Sequence, residues 1–116
     1  MDFDQAINAH VQWKSKLAGY IAKPDKSLNA LTVSGDRNCE LGKWLHGEGT
    51  KYSSLRDYAA LVADHARFHR AAGEVIKKAD SGQDESEEVA LGANSEFSNA
   101  SMAVVSKLMQ LKREVK

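Results

Sequence analysis

A chain of 116 residues is the size of one compact domain, expected here to span residues 1–116, and buries about two-thirds of its unfolded surface. Sixteen basic and sixteen acidic side chains cancel, and no dense Lys/Arg run with interleaved aromatics occurs, so the electrostatic footprint of a nucleic-acid binder is missing. Asp2 and Asp4 stand where a secretory leader needs basic residues, and no apolar run is long enough to span a bilayer, so the expected location is the cytoplasm, with no membrane partner.

The first predicted helix runs from about Phe3 to Ile21, with Phe3, Ile7, His10, Trp13, Leu17 and Tyr20 recurring at steps of three and four. His10 falls in the middle of this stripe. Asp2 with Gln5 three residues on resembles a capping box, and Pro24 ends the segment. From Lys23 to Asn38 turn-forming residues dominate, and only LNALTV suits packing, so a loop with one helical turn is expected. Asp36 or Asn38 is placed to cap the next piece, CELGKWLH, in which Cys39, Gly42 and His46 share one side and Leu41, Trp44 and Leu45 spread across the other. Gly47 and Gly49 stop it. Cys39 is the sole cysteine, so no internal disulfide is available and the thiol is structural, reactive or a metal ligand. In a first helical turn it lies near free amides and the positive dipole end, which favour the thiolate.

The third predicted helix, from Ser53 or Leu55 to Ala79, carries Tyr58, Leu61, Val62, Phe68, Ala72, Val75 and Ile76 at the helical period. His65 and His69 fall on this stripe, one turn apart, opposite Asp64, Arg67 and Arg70. Two inward imidazoles need either hydrogen-bond partners or a shared metal ion. A fourth helix opens at Ser86 or Val89, with Val89, Ala93, Phe97, Ala100, Val104, Leu108, Leu111 and Val115 forming its core face. The flanking row of Met102, Val105 and Met109 is either core filler or a contact with a second copy of the chain. The expected architecture is all-α: a four-helix bundle with a long first connection and a short extra helix carrying the cysteine.

Three segments thus offer inward nitrogen or sulfur: His10, Cys39, and the pair His65 and His69. Zinc favours a tetrahedral set of such donors, and four protein ligands close the shell. A diiron carboxylate bundle needs Glu-x-x-His pairs, whereas Ile7, Lys43, Val62 and Ala66 stand three residues before His10, His46, His65 and His69. A zinc protease needs a glutamate directly after the first histidine of the pair, where this chain has Ala66. No general base is evident, and no enzymatic activity is expected. His46, in WLHGEG, reads as a capping or solvent-exposed residue rather than a ligand. Trp13 and Trp44 read as core aromatics shielding the site.

His10-x-x-Trp13, Cys39-x-Leu41-Gly42-x-Trp44 and His65-x-x-x-His69, in this order and at these gaps, resemble the signature of the chemoreceptor zinc-binding domain. The resemblance implies a four-helix bundle in which His10, Cys39, His65 and His69 hold zinc, framed by Trp13, Leu41, Gly42 and Trp44. It further implies a sensory or regulatory role in bacterial chemotaxis or cyclic-di-GMP signalling, with a chemoreceptor or diguanylate cyclase as partner and zinc, or an oxidant acting at the cysteine, as input. With no such partner attached, the expectation is a free-standing member or an excised piece. The competing expectation is a structural zinc site in a helical protein-interaction domain.

Overall fold

A computed structural model describes residues 2–23, 27–35, 37, 39–81, 91–92 and 95–115. Among the described residues five α-helices are delimited: α1 (Phe3–Ala22), α2 (Ala30–Ser34), α3 (Glu40–Leu45), α4 (Arg56–Asp80) and α5 (Glu96–Val115), with a 3-10 turn at Glu48–Tyr52 between α3 and α4. The architecture is all-α, with the short cysteine-bearing helix set beside the long ones.

α1 starts because Asp2 adopts extended backbone and its Oδ1 accepts from the amides of Asp4 and Gln5, at 2.9 and 3.2 Å. It turns Ala6, His10, Leu17 and Tyr20 into the interior. Pro24 lies outside the described residues, and the helix ends at Ala22 with Lys23 as its cap. The helical turn expected in the first connection is α2, capped by Asn29, whose Oδ1 accepts from Thr32 N at 3.0 Å. Of the expected stripe α4 buries Leu61, His65, Phe68, His69, Ala72, Val75 and Ile76, while Tyr58 and Val62 at its margin are half-buried. α5 buries Phe97, Ala100, Val104, Leu108 and Leu111. Its expected opening at Ser86 or Val89, and Ala93, lie outside the described residues. Within them Ser95 caps α5, its Oγ accepting from Ser98 N at 3.0 Å.

α1 and α4 run parallel, and α5 runs against both. Tyr20 at the end of α1 donates to Asp80 at the end of α4 at 2.5 Å, whereas Asp4 at the start of α1 pairs with Lys112 near the end of α5 at 2.7 Å. Asp57 at the start of α4 likewise faces Lys107, and Arg67 faces Glu96 at the start of α5. Between these helices Leu17, Leu61, Phe68, Ile76, Val104 and Leu108 are fully excluded from water. α3 is anchored on this core by Leu41 and Leu45, and Tyr58 donates its hydroxyl to the Leu45 carbonyl. The Trp44 ring packs edge-on against Phe3, with centroids 5.5 Å apart, and over Gly49. A β-carbon at Gly49 would sit 2.8 Å from the Trp44 ring, so that turn needs glycine to close under the indole.

The flanking row of α5 is not core filler: Met102 and Met109 are 66% and 49% exposed, beside the 52% exposed Val11 of α1. Among the described residues no helix is long and apolar enough to cross a membrane.

Candidate metal centre

Four side chains from three helical elements converge at one point: His10 from α1, Cys39 from the head of α3, and His65 and His69 from α4. Their ligand atoms all lie within 4.8 Å of one another, and the three histidines are buried. The heptad arithmetic of α4 accounts for the pair, because residues four apart project from one face a turn above each other. His65 Nε2 and His69 Nε2 are 3.0 Å apart. Cys39 Sγ lies 3.2 Å from the first and 3.4 Å from the second. His10 closes the group from the opposite helix, its ring 5.1 Å from that of His65 and 5.9 Å from that of His69.

Cys39 sits one position earlier than the sequence pattern places it. Rather than lying in the first turn of α3, it is the N-cap, with extended backbone, and its Sγ accepts from the Gly42 amide at 3.4 Å. Asp36 and Asn38, the expected caps, lie outside the described residues. The consequence for chemistry is the same or stronger: at the N-cap the side chain itself faces the unpaired amides that stabilise an anion.

The remaining ring nitrogens show how each imidazole is aimed. His10 Nδ1 donates to the Ala6 carbonyl one turn back at 2.8 Å, and His69 Nδ1 donates to the Val33 carbonyl of α2 at 2.9 Å. A proton on Nδ1 leaves the Nε2 lone pair of each ring for the centre, the arrangement found when an outer hydrogen bond orients a metal-binding histidine. His10 Nε2 is buried with no hydrogen-bond partner, and so is His65 Nδ1. The His10 Nε2 lone pair, aimed into a cluster of other donors, is an unsatisfied acceptor, and a cation shared with Cys39 Sγ and the Nε2 atoms of His65 and His69 satisfies it. Charge on two of the rings is disfavoured. Burial pushes the pKa of His65 down to about 2, reinforced by His69, His10 and His46, and burial likewise lowers that of His10 against the raising effect of the Ala6 carbonyl. Neutral imidazoles are the form that binds metal.

The fit to a metal ion is therefore good: three nitrogens and one sulfur, His10 and His65 held neutral by burial, His10 and His69 oriented by backbone carbonyls, and a buried acceptor otherwise orphaned.

The surroundings are asymmetric. On one side Phe68 stacks edge-on against His10 and His69, with centroids at 5.1 and 5.3 Å, and seals the site from the core. On the other, Cys39 is half-buried and opens with His10 onto a cleft of 860 Å³ walled by Trp13, Lys16, Lys43 and Trp44. The two tryptophans are half-buried and flank this cleft. Lys16 rests its ammonium 4.8 Å from the Trp13 ring centroid. His46 is the exposed C-cap of α3, its amide bonded back to Gly42, and it stands outside the cluster. The helical turn of α2 is legible in LNALTV, but its role escapes sequence reasoning: it supplies the carbonyl behind His69. Gly73, a buried glycine one turn beyond His69 inside a helix, marks where it docks.

The family model of the chemoreceptor zinc-binding domain matches residues 10–76, more than half of the chain, beginning at His10 and containing Cys39, His65 and His69. No curated protein and no solved structure matches the chain.

Proposed function

The chain belongs to the chemoreceptor zinc-binding domain family, and from that membership we propose a zinc-dependent sensory domain of chemotaxis-type signalling, with His10, Cys39, His65 and His69 as the ligands. Its place is the cytoplasm, and its partner is a signalling protein of the chemoreceptor or diguanylate cyclase type. One observation carries the zinc reading: donor atoms from α3 and α4 stand 3.0, 3.2 and 3.4 Å apart. A tetrahedral shell built from ordinary zinc–nitrogen and zinc–sulfur lengths has edges of about 3.3 Å between nitrogens and about 3.6 Å between nitrogen and sulfur. The donors thus stand within a few tenths of an ångström of the required separations, and His10 Nε2 provides the fourth corner. When bound, zinc would supply the positive charge that three lone pairs and a thiolate neutralise. Four protein ligands leave no open coordination position, which supports a non-catalytic role.

The residues themselves divide the labour. His10, His65 and His69 project from long helices whose neighbours are fully buried, so their positions are rigid. Cys39 is the one half-buried ligand and the one at a helix end, and with His10 it lines the cleft. A two-electron oxidant that converts its thiolate to a sulfenic acid, or withdrawal of zinc, removes the bond between α3 and the histidines. Leu41 and Leu45 keep α3 on the core. The change is therefore centred on its first turn, where the sulfur that accepts from Gly42 N is released from the histidines and the cleft wall is free to rearrange. A local two-state element of this kind is what a signal requires.

Metal analysis of the purified protein tests the assignment. One zinc per chain is expected, with Cys39→Ser and His69→Ala each binding more weakly. A thiol reagent should modify Cys39 faster after chelation. Full zinc retention in both variants would exclude the ligand set.

A second reading, a zinc-stabilised interaction domain, draws on the exposed face of Val11, Met102 and Met109, which borders a groove of 460 Å³ along α1 and α5. A second copy of the chain is the occupant proposed for it, since a two-fold contact uses the same apolar patch twice. Thermal melts separate the two readings: a structural site unfolds on chelation, whereas a sensor stays helical and rearranges.

A further inference from the structure

α2 is five residues long and buries none of its side chains. A helix of that length does not persist in water on its own, so whatever it docks on decides its position. Half-buried Ala30 and Val33 pack against the core, and two contacts with α4 fix the seat. Gly73 presents bare backbone: a β-carbon there would lie 1.9 Å from Ser34 Oγ, 3.0 Å from the Ala30 carbonyl oxygen and 3.1 Å from Ser34 Cβ. One turn earlier, His69 Nδ1 donates to the Val33 carbonyl at 2.9 Å. That carbonyl is available because it belongs to the last turn of α2, where helix carbonyls have no partner within the helix.

The three imidazoles differ in what aims them. His10 is oriented by Ala6, a residue of its own helix, so the winding of α1 guarantees the contact. His65 Nδ1 has no hydrogen-bond partner. His69 alone is oriented by a separate element, one that packs on the core through Ala30 and Val33 and closes on Gly73.

We propose that α2, seated on Gly73, is a positioning element of the metal centre: the Val33 carbonyl holds His69 in its Nδ1–H form with Nε2 turned toward Cys39 and His65, and thereby sets the affinity for the metal. The proposal rests on the metal-binding reading of these four residues. It makes Gly73 and Val33 determinants of affinity that touch no metal. By linkage, metal binding tightens the docking of α2 as much as docking tightens the metal, so α2 is a second place, besides α3, where the loaded and unloaded states differ.

The test uses the full chain and zinc as the probe, with affinity measured by competition against a chromophoric chelator. Gly73→Leu leaves no room for α2 while placing a better helix former in α4, so a weakened α4 does not explain a loss. Affinity is expected to fall about 10- to 100-fold, the range for loss of a hydrogen bond behind a ligand. Asn29→Ala removes only the cap on Thr32 N, from an exposed residue outside the core, and is expected to weaken zinc about fivefold; it carries the test should Gly73→Leu fold poorly. Nitrogen NMR of the imidazoles should report His69 protonated at Nδ1 in the wild type and as a mixture of tautomers in both variants. Wild-type protein binding one zinc, with both variants unchanged in affinity, overturns this proposal alone. Weaker binding with the His69 tautomer unaltered overturns it as well. Wild-type protein binding no zinc overturns it together with the metal reading.

Discussion

Acidifying the metal-free protein should destabilise it well above the range in which carboxylates titrate. His65 is fully excluded from water, and burial, with His69, His10 and His46 nearby, drives its pKa to about 2; burial lowers that of His10 too. In the unfolded chain both return to an ordinary value near 6.5. Below that value the unfolded state takes up protons that the folded state refuses, so stability present above pH 6.5 is lost as the pH falls. Between pH 7.5 and 5.0 a histidine neutral throughout in the fold and ordinary when unfolded removes about 2 kcal/mol. His65 contributes this in full and His10 adds to it in the same direction, a sizeable share of the ~5–15 kcal/mol that holds a typical domain together. Glu114 works the other way: a hydrogen bond to Asp57 raises its pKa, so its protonation favours the fold as the pH falls through that raised value. Urea unfolding of the metal-free chain, followed by far-ultraviolet circular dichroism across this window, measures the slope. In His65→Leu it should drop to the part supplied by His10. A stability flat between pH 7.5 and 5.0, or the same slope in His65→Leu, refutes the reasoning.

Glycine substitutions should separate by their surroundings. Gly49→Ala drives a β-carbon to 2.8 Å from both the ring and the carbonyl oxygen of Trp44 and should destabilise by about 1–3 kcal/mol. Gly19→Ala meets nothing within 4 Å on α1 and should stabilise by about 0.5–1 kcal/mol; chemical denaturation reads both. Phe68→Ala empties a fully buried position against His10, His69 and Phe97. It should cost about 3–5 kcal/mol in the metal-free protein and weaken zinc, because two ligand rings lose their backing. Replacing Met102 and Met109 together by lysine should shift sedimentation toward the monomer while leaving zinc stoichiometry at the wild-type value; an unchanged mass distribution would remove the α1 and α5 face as a self-contact.

Helical faces were legible from the residues alone, since the periodicity that brings His65 onto the side of His69, and His10 onto the side of Leu17 and Tyr20, is a property of backbone winding and needs no partner. The donor types were equally legible: three inward imidazoles and one thiol, with no Glu-x-x-His pair and with Ala66 where a protease has its glutamate, argue against diiron and protease chemistry before any packing is considered. Packing decided the rest. Cys39 is a cap instead of a first-turn residue because the start of a short helix depends on which backbone groups find partners, and spacing is blind to that. The exposure of Met102 and Met109 required the positions of α1 and α5, since a methionine on a helix flank suits core and surface alike. Least visible was the hold of α2 on His69. Every residue carries the same carbonyl, so no side chain marks Val33 as the one that lands 2.9 Å from an imidazole thirty-six positions away; only the docking of one helix on the bare backbone of another selects it.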